Sequence, residues 1–289
     1  MWLLLSFLSA FTQAVYLAIA KKFVKNLSPY VLGSGFFFAA VHFLLGYAAI
    51  YGWPQLRAEF YLGAFCAAVL NIAAMIFLYK GLDCTDLSVG SAALALTPIL
   101  ALLASFFILG EVPSILGGVG VIVAVIGFTI VAHEHKNKDC SIEEELKNKK
   151  QRRCLVFLLA AAALYSVSVN FDKIASVNST PSFAAFFVLT AIGFGALLIV
   201  IGRKETLNLK RKNNFAGLTV LGLVNLVAVL VWYAALSQGL VVYSVAIKRL
   251  SVFLGVGFGY FWFKEKNIKR KFAGAVVVLI GLALIIIFK

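Results

Sequence analysis

Asn71-Ile72-Ala73-Ala74-Met75-Ile76-Phe77-Leu78-Tyr79-Lys80-Gly81-Leu82 returns later in the chain as Asn225-Leu226-Val227-Ala228-Val229-Leu230-Val231-Trp232-Tyr233-Ala234-Ala235-Leu236, at an offset of 154 residues. The same offset pairs Gly63 with Gly217, Leu96 with Leu250, Glu111 with Glu265, Gly120 with Gly274 and Gly127 with Gly281; an offset of 151 pairs Lys22 with Lys173. Apolar matches mean little in a chain this rich in Leu, Val and Ala. The Asn, Tyr, Glu and Gly matches at one spacing mean more, and they mark an internal duplication.

The duplicated units are membrane material. Of 289 residues, 62% are hydrophobic and only 13% charged, where a soluble domain carries about 25% charged residues. Mean hydropathy is +0.98. That balance excludes a secreted globular domain, a disordered chain and a coiled coil. Apolar runs fall at about 2–20, 31–52, 60–79, 87–109, 114–132, 154–171, 182–202, 214–236, 240–263 and 272–288. Each reaches across roughly 30 Å of hydrocarbon as a helix. They are continuous rather than alternating, so they are helices and not barrel strands. Ser28-Pro29, Trp53-Pro54, Gly110-Glu111-Val112-Pro113 and Thr180-Pro181 punctuate the breaks. No basic residue precedes Lys21, so the first run reads as a retained helix and not a cleaved signal. The expected fold is an all-α polytopic membrane protein of ten transmembrane helices. A first five-helix repeat covers 1–132, a charged linker 133–153 and a second repeat 154–289. Five helices per repeat force the halves into opposite orientations, the plan of secondary transporters whose site lies near the midplane between inverted repeats.

Charge sets the orientation. The 26 basic and 12 acidic residues give a net +14. The basic residues gather in loops after the odd-numbered runs: Lys21, Lys22 and Lys25; Lys80; seven in the linker; Arg203 to Lys212; and Lys264 to Lys271. The opposite loops and ends hold only Arg57, Lys173 and Lys289. The positive-inside rule places the linker in the cytoplasm and both termini outside a cell membrane. No basic–aromatic face or nucleic-acid motif accompanies the charge, so no nucleic-acid partner is expected. Ser141-Ile142-Glu143-Glu144 is a capping box, and Glu143 with Lys147 and Glu145 with Lys149 are i,i+4 pairs. They predict a short surface helix leading into the sixth run.

The order of motifs resembles the EamA branch of the drug/metabolite transporter superfamily over essentially the whole chain. The resemblance is carried by Phe77-Leu78-Tyr79-Lys80-Gly81-Leu82, Leu96-Thr97-Pro98, Leu109-Gly110-Glu111 with Gly117 to Gly127 following, Trp232-Tyr233-Ala234-Ala235-Leu236 and Phe263-Lys264-Glu265. Two departures stand out. Val252 occupies the place of Pro98, and the relatives are usually drawn with cytoplasmic termini. The resemblance implies a ten-helix carrier. Related sugar-phosphate carriers place basic residues on the ninth helix, which implies a phosphate or carboxylate on the substrate.

Polar residues inside apolar runs mark the candidate substrate site. Lys248-Arg249 lies roughly 10–12 Å into the ninth run, reckoned at 1.5 Å per residue, where each charge costs about 2.5–3.5 kcal/mol near a helix centre. On a continuous helix Lys248 shares a face with Gly255 and Gly259, which allows close helix approach and turns the lysine into the bundle. The alternatives are snorkelling, or a structural ion pair with Asp83, Asp86 or Asp172. Asn71 and Asn225 occupy equivalent mid-run positions, and Asn225 shares a face with Trp232. They flank a cavity or bond between helices. Gln13 and Tyr16 share a face of the first run; Tyr165, Ser168 and Asp172 share one of the sixth. Tyr79 and Tyr233 read as interfacial aromatics, His42 as a satisfied interior histidine, and Glu111 and Glu265 as ties to loops or helix N-termini. Cys66, Cys84, Cys140 and Cys154 show neither metal-site spacing nor a disulfide framework, and His133-Glu134-His135 is not a zinc motif. No phosphate loop, catalytic grouping or cofactor motif is present in the sequence, so no enzyme is expected. The reading is a secondary transporter moving a small, anionic metabolite by alternating access, with a small-molecule substrate and the lipid bilayer as partners. Its rivals are a proton-coupled exporter of cationic drugs and a lipid-phosphate flippase on the same fold.

Overall fold

A computed structural model describes residues 2–24, 26–97, 100, 115–132, 142–205, 212–238, 244 and 247–287. Among these residues the secondary structure is helical, without strands. The helices are α1 (Trp2–Phe23), α2 (Pro29–Tyr51), α3 (Ala58–Cys84), α4 (Leu87–Ala95), α5 (Ile115–Ala132), α6 (Ile142–Val177), α7 (Pro181–Gly202), α8 (Lys212–Gln238), α9 (Ser251–Phe263) and α10 (Ile268–Ile287). Six of them, α1, α2, α3, α6, α7 and α8, contain stretches long and apolar enough to cross a membrane. Ile122–Ala132 and Ser251–Phe263 are shorter apolar helices. Much of the expected fourth span lies outside the described residues, as do Glu111, His133 to His135 and Ser141.

The starts of α2 and α7 show how the sequence writes helix ends. Ser28 accepts a hydrogen bond from the Val31 N–H, and Thr180 accepts one from the Phe183 N–H. Each is followed by a proline in the first turn, where the missing N–H costs nothing. α6 runs unbroken from Ile142 to Val177, so the end of the linker belongs to the long helix and forms no separate surface helix. The i,i+4 pairs favour helix but contain no stop signal before the sixth run.

Helices at equivalent positions in the two halves run antiparallel. In α2 and α7, Phe43 stacks near Phe186 and Tyr47 bonds Thr180, while the Phe36–Phe37 backbone crosses Gly193. In α5 and α10, a Cβ on Gly127 would come within 2.8 Å of the Gly274 carbonyl, and one on Gly281 within 2.6 Å of the Gly120 carbonyl. These four glycines are the repeat mates of one another, so the contact is made by the same residues from each side. Only glycine lets two helix backbones approach this closely. The wider packing follows the same exchange: α3 lies along α6 as α1 lies along α8, and α2 meets α8 as α7 meets α3.

The loops after α1, α3, α7 and α9 meet at one end of the bundle. Lys21 donates to the Leu82 and Thr85 carbonyls, capping α3. Ser28 donates to Glu205, and the Arg203 guanidinium stands 4.7 Å from the centre of the Tyr30 ring. Glu265 behaves as a tie: it accepts from the Leu87 N–H at 2.7 Å, from Ser88, and from Lys271 at 2.9 Å. Lys271 also pairs with Asp86. At the same end Cys84 and Cys154 form a disulfide, with Cα atoms 6.2 Å apart, joining α3 to α6. This corrects the cysteine reading, because packing rather than motif spacing brings the two together. At the other end the Arg57 N–H reaches the Asn178 carbonyl, and Trp53, Phe60, Phe183 and Phe187 cluster.

The outer faces are apolar. Leu4, Phe7, Phe11, Leu62, Phe65, Val220, Leu223 and Val227 are exposed on long helices. Such an apolar girdle belongs in lipid rather than in water.

Candidate functional site

The fourth and ninth runs are not continuous helices. α4 ends at Ala95, where the Leu96 N–H turns back to the Ala93 carbonyl at 3.1 Å. α9 begins at Ser251, and the preceding turn is tight: Leu250 donates to Ile247 at 3.0 Å and Val252 to Arg249 at 3.0 Å. Leu96 and Leu250 are repeat mates, so both halves interrupt the same helix at the same place. Thr97, Lys248 and Arg249 sit at these interruptions. The sequence reading of 240–263 as one helix is corrected here; a run of apolar residues looks the same whether it turns or continues. The Gly255 face still serves close packing, against Ser91 of α4.

Between the halves lies a cavity of about 120 Å³. Lys248, Arg249, Asn71, Asn225, Trp232, Gln13, Tyr16 and Tyr165, drawn from five different apolar runs, all line it. Lys248 Nζ rests 3.9 Å from the centre of the Trp232 ring. Such a contact is worth about 2 kcal/mol when desolvated. Arg249 is 8% exposed, and its Nε has no hydrogen-bond partner among the described residues. The ion pairs found among the described residues belong to Lys271, so neither Lys248 nor Arg249 has a carboxylate within 4 Å there. Asp86 is engaged by Lys271 instead.

Asp172 is the lining residue whose part the sequence reading missed. Its Oδ1 accepts from the Tyr233 hydroxyl at 2.9 Å and from Asn71 Nδ2 at 3.2 Å. The shared face with Tyr165 on α6 was legible; the partners on α3 and α8 were not. Tyr233 pairs with Asp172 as its mate Tyr79 pairs with Tyr16, hydroxyl to hydroxyl at 2.7 Å. Both tyrosines are buried, which corrects their reading as interfacial aromatics. α3 and α8 extend past the apolar runs to Cys84 and Gln238, which leaves the tyrosines inside the helices rather than at their ends. His42 lies on an exposed face, with Nδ1 at 2.8 Å from the Phe38 carbonyl; it is satisfied, but not interior. No group of three metal-ligating side chains occurs among the described residues.

The family model for EamA-like transporters matches residues 1–132 and 152–287. The chain belongs to the EamA-like transporter family. Members of this family are membrane transporters of the drug/metabolite superfamily and not enzymes, in keeping with the apolar outer faces of the bundle. A solved crystal structure, 14% identical, covers 100% of this chain and 99% of its own with a TM-score of 0.69, which shows a shared fold. A comparison with curated proteins found no match. In this EamA-like protein the interruptions of α4 and α9, Tyr16, Tyr233 and the basic pair converge on one cavity between the repeats.

Proposed function

We propose that this EamA-like protein is a secondary carrier for a small metabolite bearing a phosphate or carboxylate. Transport runs by alternating access between two inverted five-helix halves of a ten-helix bundle in the cell membrane. Loops after the odd-numbered helices, including the linker, face the cytoplasm, and the termini lie outside. The observation that carries the substrate class is the basic pair: Lys248 and Arg249 line the cavity without a carboxylate within 4 Å among the described residues. An unpaired cation within a membrane protein marks a substrate path by default. Arg249 holds an acid group bidentately, and Lys248 adds a point charge that Trp232 keeps in place.

The test is thermal stabilisation of the purified protein by small phosphates and carboxylates. A bound ligand raises apparent stability as RT ln(1 + [L]/Kd). Binding acids should raise the unfolding temperature of the wild-type protein but not of Arg249→Gln. Equal shifts in both would show that the pair does not bind substrate.

A further inference from the structure

We infer that the basic end of the bundle holds a second site, separate from the central cavity, for a phosphate group received by Lys80, Lys150 and Arg153; its position favours a phospholipid headgroup as the source. A cavity of about 480 Å³ lies there between the α1–α2 connection, the end of α3 and the part of α6 contributed by the linker. Lys80, Asp83, Lys150, Arg153 and Phe157 are among its walls. The buried hydroxyl pair of Tyr16 and Tyr79 stands between the two cavities: Tyr79 lines this one and Tyr16 lines the central one.

Like charges at helix ends repel and spread into water when nothing gathers them. Here they are gathered. Lys80 Nζ stands 5.8 Å and the Arg153 guanidinium carbon 5.5 Å from the centre of one ring, that of Phe157. Phe77 stacks on the same ring, with centres 5.7 Å apart, and holds it in place. Packing produces the arrangement. A Cβ on Gly81 would stand 2.6 Å from the Leu158 side chain, so glycine there lets α3 and α6 come close enough to set Lys80 beside Arg153. The equivalent contact of α8 with α1 has Ala234 in the place of Lys80 and Ser6 in the place of Phe157. The helix contact itself therefore needs neither the cation nor the ring. Nor does a carboxylate offset the three cations: Asp83 lines the same cavity, but the ion pairs within 4 Å among the described residues belong to Lys271.

The ligand class follows from the donors. Ammonium and guanidinium groups donate and never accept, so their common partner is an anion with several acceptor oxygens. A phosphate, even as a diester, keeps two free oxygens that fit the fork of Arg153, while the lysines add point charges. The level in the membrane points to the source. The sixth apolar run begins at Cys154, directly after Arg153, and Val156 is exposed on the outer face one turn further on. Arg153 thus stands where hydrocarbon gives way to headgroups, and anionic lipids attract basic residues at that level. Because α3 belongs to the first half and α6 to the second, an occupant ties the two halves together at this end.

The experiment titrates the purified full-length protein, in neutral detergent, with three probes: dihexanoyl phosphatidylglycerol, dihexanoylglycerol, which keeps the chains and lacks the phosphate, and inorganic phosphate. The readout is the dissociation constant from the concentration dependence of the unfolding temperature. Phosphatidylglycerol should bind the wild-type protein, and bind Arg153→Gln roughly tenfold or more weakly, as the loss of one charge-assisted contact requires. Lys150→Gln, an exposed position where folding is not at stake, should weaken it as well. Arg249→Gln should bind phosphatidylglycerol as the wild-type protein does, which separates this site from the central cavity. So should Lys266→Gln combined with Lys269→Gln, two exposed lysines of the same end that do not line the cavity. Inorganic phosphate that binds as tightly as the lipid, with the same dependence on Arg153 and Lys150, would uphold the phosphate site and make its source soluble. Equal affinity of the wild-type protein, Arg153→Gln and Lys150→Gln for phosphatidylglycerol and for phosphate would overturn the site. An equal loss in the Lys266 and Lys269 pair would overturn it too, since the basic end would then act only as a general attraction. Dihexanoylglycerol binding as tightly as phosphatidylglycerol, or a loss confined to Arg249→Gln, would do the same by assigning the binding to the chains or to the central cavity.

Discussion

At the scale of single residues, membrane burial makes every polar group costly, and the costs locate function. A charge near a helix centre carries about 2.5–3.5 kcal/mol of insertion penalty. Trp232 offsets part of this for Lys248, whereas the Arg249 Nε has nothing comparable among the described residues. Lys248→Ala should therefore nearly abolish substrate uptake into proteoliposomes, and Arg249→Lys should weaken it although the charge is kept, because lysine cannot grip an acid group bidentately. Both variants should insert and fold, since neither adds a charge to the membrane. Wild-type uptake by Lys248→Ala, or its failure to fold, would make the pair structural. Glu265 is a different kind of charge. It is buried, and it holds the first turn of α4, Ser88 and Lys271 at once. Glu265→Ala leaves Lys271 with Asp86 alone and strips two backbone N–H groups of their acceptor. A loss of about 3 kcal/mol is expected, read as a lowered unfolding temperature in detergent. An unchanged temperature would show that the tie carries no stability.

At the scale of elements, glycine decides which helices touch. A Cβ on Gly281 would stand 2.5 Å from the Ala124 backbone nitrogen, and backbone cannot step aside as a side chain can. Gly281→Val should force α5 and α10 apart and cost about 1–3 kcal/mol, the range of core overpacking. Gly46 has open space where its Cβ would be, so Gly46→Ala serves as the control, with an unfolding temperature at or slightly above that of the wild-type protein. Equal behaviour of the two variants would show that the close α5–α10 approach is not needed. The interruptions of α4 and α9 belong to this scale as well. They place Thr97, Lys248 and Arg249 where a helix ends rather than on its flank, beside the cavity.

At the scale of the whole molecule, the proposed orientation is tested by two independent features. The described basic loops gather at one end of the bundle, and the proposal that this end is cytoplasmic rests on the positive-inside rule. The Cys84–Cys154 disulfide lies at this same end, and a reducing cytoplasm keeps such thiols free. The orientation therefore predicts that rapid alkylation of intact cells traps Cys84 and Cys154 as thiols, and that the bond forms in protein purified without reductant. Closing it across 70 residues of chain should add roughly 4 kcal/mol to the oxidised protein. A chain retaining only Cys140 should likewise resist an impermeant thiol reagent in intact cells. Ready labelling of Cys140, with the disulfide already present in cells, would place the linker outside and reverse the topology.

The amino-acid sequence by itself determined the all-helical membrane class and the duplication, and it offered eight candidate residues that the structure places around one cavity. The reason is local: polar side chains such as Asn71, Asn225 and Lys248 cannot face lipid cheaply, so in apolar runs they turn inward, and periodicity along the helix says which residues turn together. Ser28-Pro29 and Thr180-Pro181 were legible as breaks for a similarly local reason, and the structure shows Ser28 and Thr180 capping the helices that start there. Only the tertiary structure decided what lies across from each inward face. Asp172 shares its face with Tyr165 in any helix, but Tyr233 and Asn71 reach it only because α8 and α3 both pack beside α6. Cys84 and Cys154 meet because α3 lies along α6, a contact set by glycine-lined approaches between helices far apart in the chain. The turn at 247–250 escaped the sequence because Ile247-Lys248-Arg249-Leu250 holds no Gly or Pro to mark a break.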